Sequence, residues 1–130
     1  MQVEYKLEED AGYLAAKVTG EWGLEAAYEL IDSLERECRE RNCRRALADW
    51  LDAEIVGRVL EYERFVVGQR IGSRLRDVRL AILFPAVQIN KFAESIAVEA
   101  GAEFLVTGDR EEALSWLLES SKNEAAVSDE

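Results

Sequence analysis

A chain of 130 residues with 48% hydrophobic content is enough for one domain with a real core and leaves no room for a second. Its formal net charge of −11 opposes phosphate backbones and anionic lipid surfaces, and the absence of histidine excludes every His-dependent triad, His-based general acid or base and His-ligated metal. No stretch approaches the roughly 18 to 20 apolar residues of a membrane span, and the first residues carry Glu4 and Glu8 with no apolar run, unlike a secretory signal; a cytoplasmic protein without membrane insertion is expected.

Val3, Tyr5 and Leu7 alternate with Gln2, Glu4, Lys6 and Glu8, the period-two pattern of an edge strand with one face in water. Asp10-Ala-Gly12 supplies turn chemistry before a second strand over Tyr13–Thr19, so these two read as an antiparallel hairpin ended by Gly20. From Leu24 to Arg41 the apolar positions Leu24, Ala27, Ile31, Leu34 and Cys38 recur every three or four residues, which predicts an amphipathic helix with Glu25 and Glu29 in its early turns. Asn42 suits a left-handed stop, and Arg45–Asp49 is short and apolar, like a central parallel strand. Cys38 and Cys43 lack the second pair that a structural zinc site requires and read as free thiols. The arginines at 36, 39, 41, 44 and 45 read as cations at the negative pole of the helix; with no aromatic residues interleaved, they do not make a single-stranded nucleic-acid surface.

The spacing predicts a helix over Ala53–Leu75 with two apolar stripes, Ile55, Val59, Tyr62 and Val66 on one and Val56, Leu60, Val67 and Ile71 on the other. Glu63 and Arg70 fall between them, and Gly57, Gly68 and Gly72 lie opposite. A helix on a sheet needs only about a 100° stripe, so the excess must meet a neighbouring helix, a partner subunit or a ligand. Arg79–Phe84 is a continuous apolar run of the kind buried on both faces, ended by Pro85. Asn90 is expected to cap a helix through Ala100, with Phe92, Ala93, Ile96 and Ala97 inward and Gly101 as its stop. Glu103–Val106 is the fifth strand. Asp109 followed by Glu112 makes a capping-box-like start to a last helix whose Ala113, Leu114, Leu117 and Leu118 pack inward. The order β-β-α-β-α-β-α-β-α predicts a single α/β domain over residues 1–118, a mixed five-stranded sheet with about four helices on right-handed crossovers; residues 119–130 read as a polar, disordered tail. Strand order stays open.

In such sheets ligands gather beyond the carboxyl ends of parallel strands, where the loops hold Glu21, Asp49, Asp52, Glu54, Asn90, Lys91 and Asp109. Asp49, Asp52 and Glu54 lie in one loop without the spacing of a dedicated cation site, and solvated acids are the expectation there. No Gly-rich run follows a strand and opens a helix, so neither a nucleotide nor another cofactor is expected. Asp49 stands where a receiver domain carries its phospho-acceptor, but the acidic pair such a domain needs after its first strand is missing. Trp22, Trp50 and Trp116 read as core, and Trp50 adjoins the best candidate loop.

From about Val18 to Leu118 the chain resembles the SpoIIAA-like (STAS/SEC14-type) family of small bacterial domains. The resemblance is carried by Val18-Thr-Gly-Glu-Trp22, by Arg45–Asp49 and Arg79–Phe84, and most specifically by the closing strand followed by Glu112-Ala-Leu-Ser-Trp-Leu117. It implies a non-catalytic fold: STAS domains antagonise anti-sigma factors or act as docking modules, and SEC14-type relatives enclose apolar ligands. Antagonists of that kind carry a phosphorylatable serine in a context like Asp-Ser-Ser-Gly, whereas Asp49–Gly57 here has no hydroxyl residue. Three functions therefore stand in order. The first is a regulatory interaction module that docks a protein partner or a second copy of itself through the wide apolar helix. The second is a small apolar-ligand domain with a pocket lined by Val59, Tyr62, Phe65 and Val66. The third is an enzyme using Asp49 and Asp52. The candidate site residues are Asp49, Trp50, Asp52, Val59, Tyr62, Phe65 and Val66.

Overall fold

The strands lie side by side in the order in which the chain makes them. In the computed structural model, which describes residues 1–119, β1 (Gln2–Glu8), β2 (Tyr13–Thr19), β3 (Arg45–Asp49), β4 (Arg79–Leu83) and β5 (Glu103–Thr107) form one sheet ordered β1-β2-β3-β4-β5. β1 and β2 pair antiparallel, and every later pair is parallel. β1 is thus an edge and β3 the centre, as alternation in one and continuous apolarity in the other predict.

Sequential parallel strands with right-handed crossovers climb the sheet in one direction, so their crossover helices share one face. These are α1 (Leu24–Glu40), α2 (Glu61–Arg74) and α3 (Phe92–Glu99), and α4 (Arg110–Leu118) lies on the other side. The registers build the first face row by row: Leu14, Ala46, Leu80 and Phe104 in one row, Ala16, Ala48, Ile82 and Val106 in the next. Both rows join the main core with Leu30, Ile31 and Leu34 of α1 and Ile71 of α2. On the reverse face Leu47, Ala81 and Leu83 meet Ala113 and Leu117 of α4. Asn42, with φ at 51°, provides the left-handed turn after α1.

α4 is fastened at both ends. Asp109 Oδ1 accepts the N–H groups of Glu111 and Glu112 at 2.9 and 3.4 Å. The reciprocal half of the expected capping box is taken by Thr107, whose hydroxyl accepts the Asp109 N–H at 3.1 Å. At the far end the Arg79 guanidinium donates twice to the Trp116 carbonyl, at 3.1 and 2.7 Å, and pairs with Glu103 and Glu119. It also stacks 3.9 Å from the Trp116 ring centroid, placing a cation on the negative pole of the helix.

The helix expected over Ala53–Leu75 begins at Glu61, and residues 53–60 form a loop. Beyond β3 the chain turns at Leu51 and Asp52 and then runs beside the end of β2: the Glu54 N–H donates to the Gly20 carbonyl at 3.1 Å and the Trp22 N–H to the Glu54 carbonyl at 2.8 Å. Gly57 then takes a φ of 77°, which no right-handed helix contains. The helix starts where Glu63 Oε1 accepts the Leu60 N–H at 2.9 Å, with Glu61 and Glu63 favouring the positive pole. The double stripe therefore does not exist as one helical surface.

α2 has α3 and α1 as its main packing partners rather than a strand. Against α3 it uses glycines: a Cβ at Gly68 would stand 2.6 Å from the Ala93 carbonyl, and one at Gly72 would stand 2.4 Å from Ala100 Cβ. Against α1 it uses charge, with Arg70 bidentate to Asp32 at 3.3 and 2.7 Å, its guanidinium 4.6 Å from the Tyr28 ring centroid, and Arg74 within 3.7 Å of Glu35. The N-cap of α3 is Lys91, with φ at 68°, rather than Asn90; Asn90 lies one residue earlier, its Oδ1 accepting the Phe92 N–H at 3.0 Å. Among the described residues no helix is long and apolar enough to cross a membrane. The tail expected over 119–130 falls, after Glu119, outside the described residues.

Candidate functional site

Side-chain alternation extends past the ends of the central strands. Trp50 continues the row of Ala46 and Ala48, Phe84 continues that of Leu80 and Ile82, and both turn toward the three-helix face. Their rings meet edge to face, centroids 6.1 Å apart, and the Trp50 indole N–H donates to the Gly20 carbonyl at 3.4 Å.

Between these rings and α2 lies an apolar cavity of about 80 Å³. Its floor is Ile82, Phe104 and Val106, one wall is Ala27, Leu30 and Ile31 of α1, and Val67 and Ile71 of α2 form the roof; Trp22 and Val59 close the end. Above it, α2 packs mainly on its flanking helices α3 and α1. Arg64 is the single charged residue in the lining. It shares the inward face of α2 with Val67 and Ile71 through the three- and four-residue spacing of a helix. Burial lowers the pKa of its guanidinium, against the pull of the Glu61 and Glu63 carboxylates.

A groove of about 420 Å³ lies at the mouth, at the carboxyl end of the sheet, and shares Val59 and Arg64 with the cavity. Arg58, Leu60, Glu61, Val87, Gln88 and Asn90 complete it. Gln88 Oε1 accepts the Val59 N–H at 3.3 Å, and Asn90 donates to Glu61 at 3.4 Å, so polar side chains tie the two loops together. Leu60 and Val87 present exposed apolar surface at this end.

The candidate residues read from the sequence divide between the two faces. Trp50 and Val59 line the cavity. Tyr62 is 67% exposed, Phe65 stacks on Phe92 at the surface with centroids 6.5 Å apart, and Val66 is partly buried; none of the three lines the cavity, whose α2 positions are Arg64, Val67 and Ile71. That set follows once the helix is phased from Glu61, and Gly57 was the signal for where to phase it. Asp49 faces α4 instead, and Asp52 lies in the turn after β3. Asp49 stands opposite Lys17 in the register, 3.6 Å from its Nζ, pairs with Arg110 and accepts the Leu51 N–H at 3.2 Å. Its carboxylate fastens α4 to β3. Asp52 is exposed, 3.4 Å from Lys17, and among the described residues no three side chains gather to hold a metal ion. Cys38 is free in the core, where burial pushes its thiol up to about 12, and Cys43 is free and partly exposed.

No protein-family model matches the chain, and no curated protein matches it. Among solved structures it is similar to a crystal structure from Shewanella loihica, at 22% identity and a TM-score of 0.49 over 89% of this chain and 92% of that one. That protein is described as an uncharacterized member of the DUF3478 family with a SpoIIAA-like fold.

Proposed function

We propose that this domain is a binding module for a small apolar ligand, held between α2 and the sheet. The observation that carries the reading is the apolar cavity beneath α2, open at the carboxyl end of the strands, where α/β sheets receive ligands. An empty apolar volume costs about 24 cal/mol per Å³, so 80 Å³ forfeits about 2 kcal/mol that an inserted apolar group restores. An engineered apolar cavity of about 150 Å³ admits benzene. The space here suits a short alkyl or aryl segment, with the rest of the ligand in the groove. The ion pairs joining α2 to α1 are partly exposed and worth about 0 to 1 kcal/mol each, so they add little to the hold of α2 on α1.

The test is addition of 1-octanol to the purified protein. A rise in unfolding temperature together with a change in the fluorescence of Trp22 and Trp50 is expected; no effect on either at millimolar alcohol refutes the reading. A second reading, docking of a protein partner or a second copy, is favoured by the exposure of Val56 (84%), Tyr62 (67%) and Val87 (92%). A dimer in sedimentation at micromolar concentration, with 1-octanol inert, would select it.

A further inference from the structure

α2 carries three arginines, and two of them are matched. Arg70 is bidentate to Asp32, and Arg74 lies beside Glu35. Arg64, the one that faces the cavity, has its Nε buried with no hydrogen-bond partner, and no carboxylate among the described residues pairs with it. The adjacent acids are engaged elsewhere: Glu63 caps its own helix at the Leu60 N–H, and Glu61 receives Asn90. A buried Nε–H left without an acceptor is a cost that an apolar residue at the same position would avoid. Helix stability therefore gives no reason for an arginine here, and recognition does. The guanidinium is a rigid planar fork of donors that fits a carboxylate. Arg64 also borders both compartments, and the groove adds Arg58 against the single acid Glu61.

We propose that the ligand is an anionic amphiphile, a monocarboxylate with an alkyl or aryl tail. Its carboxylate sits against Arg64 at the junction of groove and cavity, and its tail lies among Trp50, Val67 and Phe84. This rests on the apolar-ligand reading above and adds the charge of the ligand and the residue that selects it.

Isothermal titration of octanoate and 1-octanol, equal in chain length and different in headgroup, tests it on the wild type, Arg64→Met and Arg64→Lys. A charge-assisted hydrogen bond predicts that the wild type binds octanoate at least about tenfold more tightly than the alcohol. Arg64→Met is expected to bring that ratio to about one while retaining 1-octanol, and Arg64→Lys to restore part of it. Free of ligand, Arg64→Met is expected to melt no lower than the wild type, because the buried, unpartnered Nε–H is gone; this separates lost binding from lost folding. Equal binding of the two ligands by the wild type, or a tenfold preference that survives in Arg64→Met, overturns the role of Arg64 and leaves the cavity reading standing. Failure of both ligands to bind the wild type overturns the cavity reading and this inference with it.

Discussion

Lengthening Val67 to leucine directs one more methylene into the space that Val67 and Ile71 roof over Trp50 and Phe84. The unfilled volume of about 80 Å³ corresponds to about 2 kcal/mol, and one buried methylene recovers about 0.8 kcal/mol of it. In a domain of this length that is a rise of about 3 °C in unfolding temperature. Leucine also has the better helix propensity, by a few tenths of a kcal/mol, so Val66→Leu, one residue away and outside the cavity lining, serves as the comparison for a gain unrelated to the cavity. Urea unfolding followed by circular dichroism, with and without 1-octanol, provides the assay. Val67→Leu is expected to unfold at higher urea than both the wild type and Val66→Leu, and to gain less from the alcohol because the room is taken. If Val67→Leu proves no more stable than Val66→Leu, and the alcohol stabilises it as much as the wild type, the space beneath α2 is not an empty ligand-sized cavity.

On the opposite face, Arg79→Lys keeps the charge but loses the fork that grips the Trp116 carbonyl while pairing with Glu103, and a loss of about 2 kcal/mol in urea unfolding is expected. An unchanged midpoint would mean that α4 docks by Ala113 and Leu117 alone. Asp49→Asn breaks pairs whose cations are 46% and 51% exposed, so about 1 kcal/mol is the expected cost, with 1-octanol binding untouched. Loss of alcohol binding in that variant would contradict the separation of the two faces. For the thiols, an aromatic disulfide reagent at about pH 8 is expected to label Cys43 in the native protein and Cys38 only on unfolding. Cys38 titrates near 12 in the fold against a reference of 9.0, so the folded state keeps a proton that the unfolded state releases. That contribution to stability is intact below about pH 9 and is lost as pH rises toward 12, so the wild-type urea midpoint should fall more steeply over that range than that of Cys38→Ala.

The strands and the outer helices were legible because period and composition agree in them. The alternation of Val3, Tyr5 and Leu7 marks an edge, and the unbroken Ala46-Leu47-Ala48 marks a centre buried on both sides. Strand order was not legible, since it depends on which strands the crossovers join and no local pattern encodes that. The start of α2 was misread because Ile55, Val56, Val59 and Leu60 mimic helical spacing in a segment whose backbone is committed to Gly20 and Trp22, partners distant in sequence. That error shifted the candidate lining from Arg64, Val67 and Ile71 to Tyr62, Phe65 and Val66. Asp49 and Asp52 drew attention by lying at a strand end, but only the register brings Lys17 opposite Asp49, and only the docking of α4 brings Arg110 to it. The orphaned Nε of Arg64 is a property of packing, invisible in a helix that reads as ordinary charged sequence.

The three tryptophans offer the most direct test of the central claim, because Trp22 and Trp50 line the cavity and Trp116 lies beneath Arg79 on the other face. In ¹H–¹⁵N spectra of the protein titrated with 1-octanol, the indole N–H resonances of Trp22 and Trp50 are expected to move together and saturate while that of Trp116 stays in place. Three indole signals that all hold still, or that all drift without saturation, would contradict a ligand cavity between α2 and the sheet.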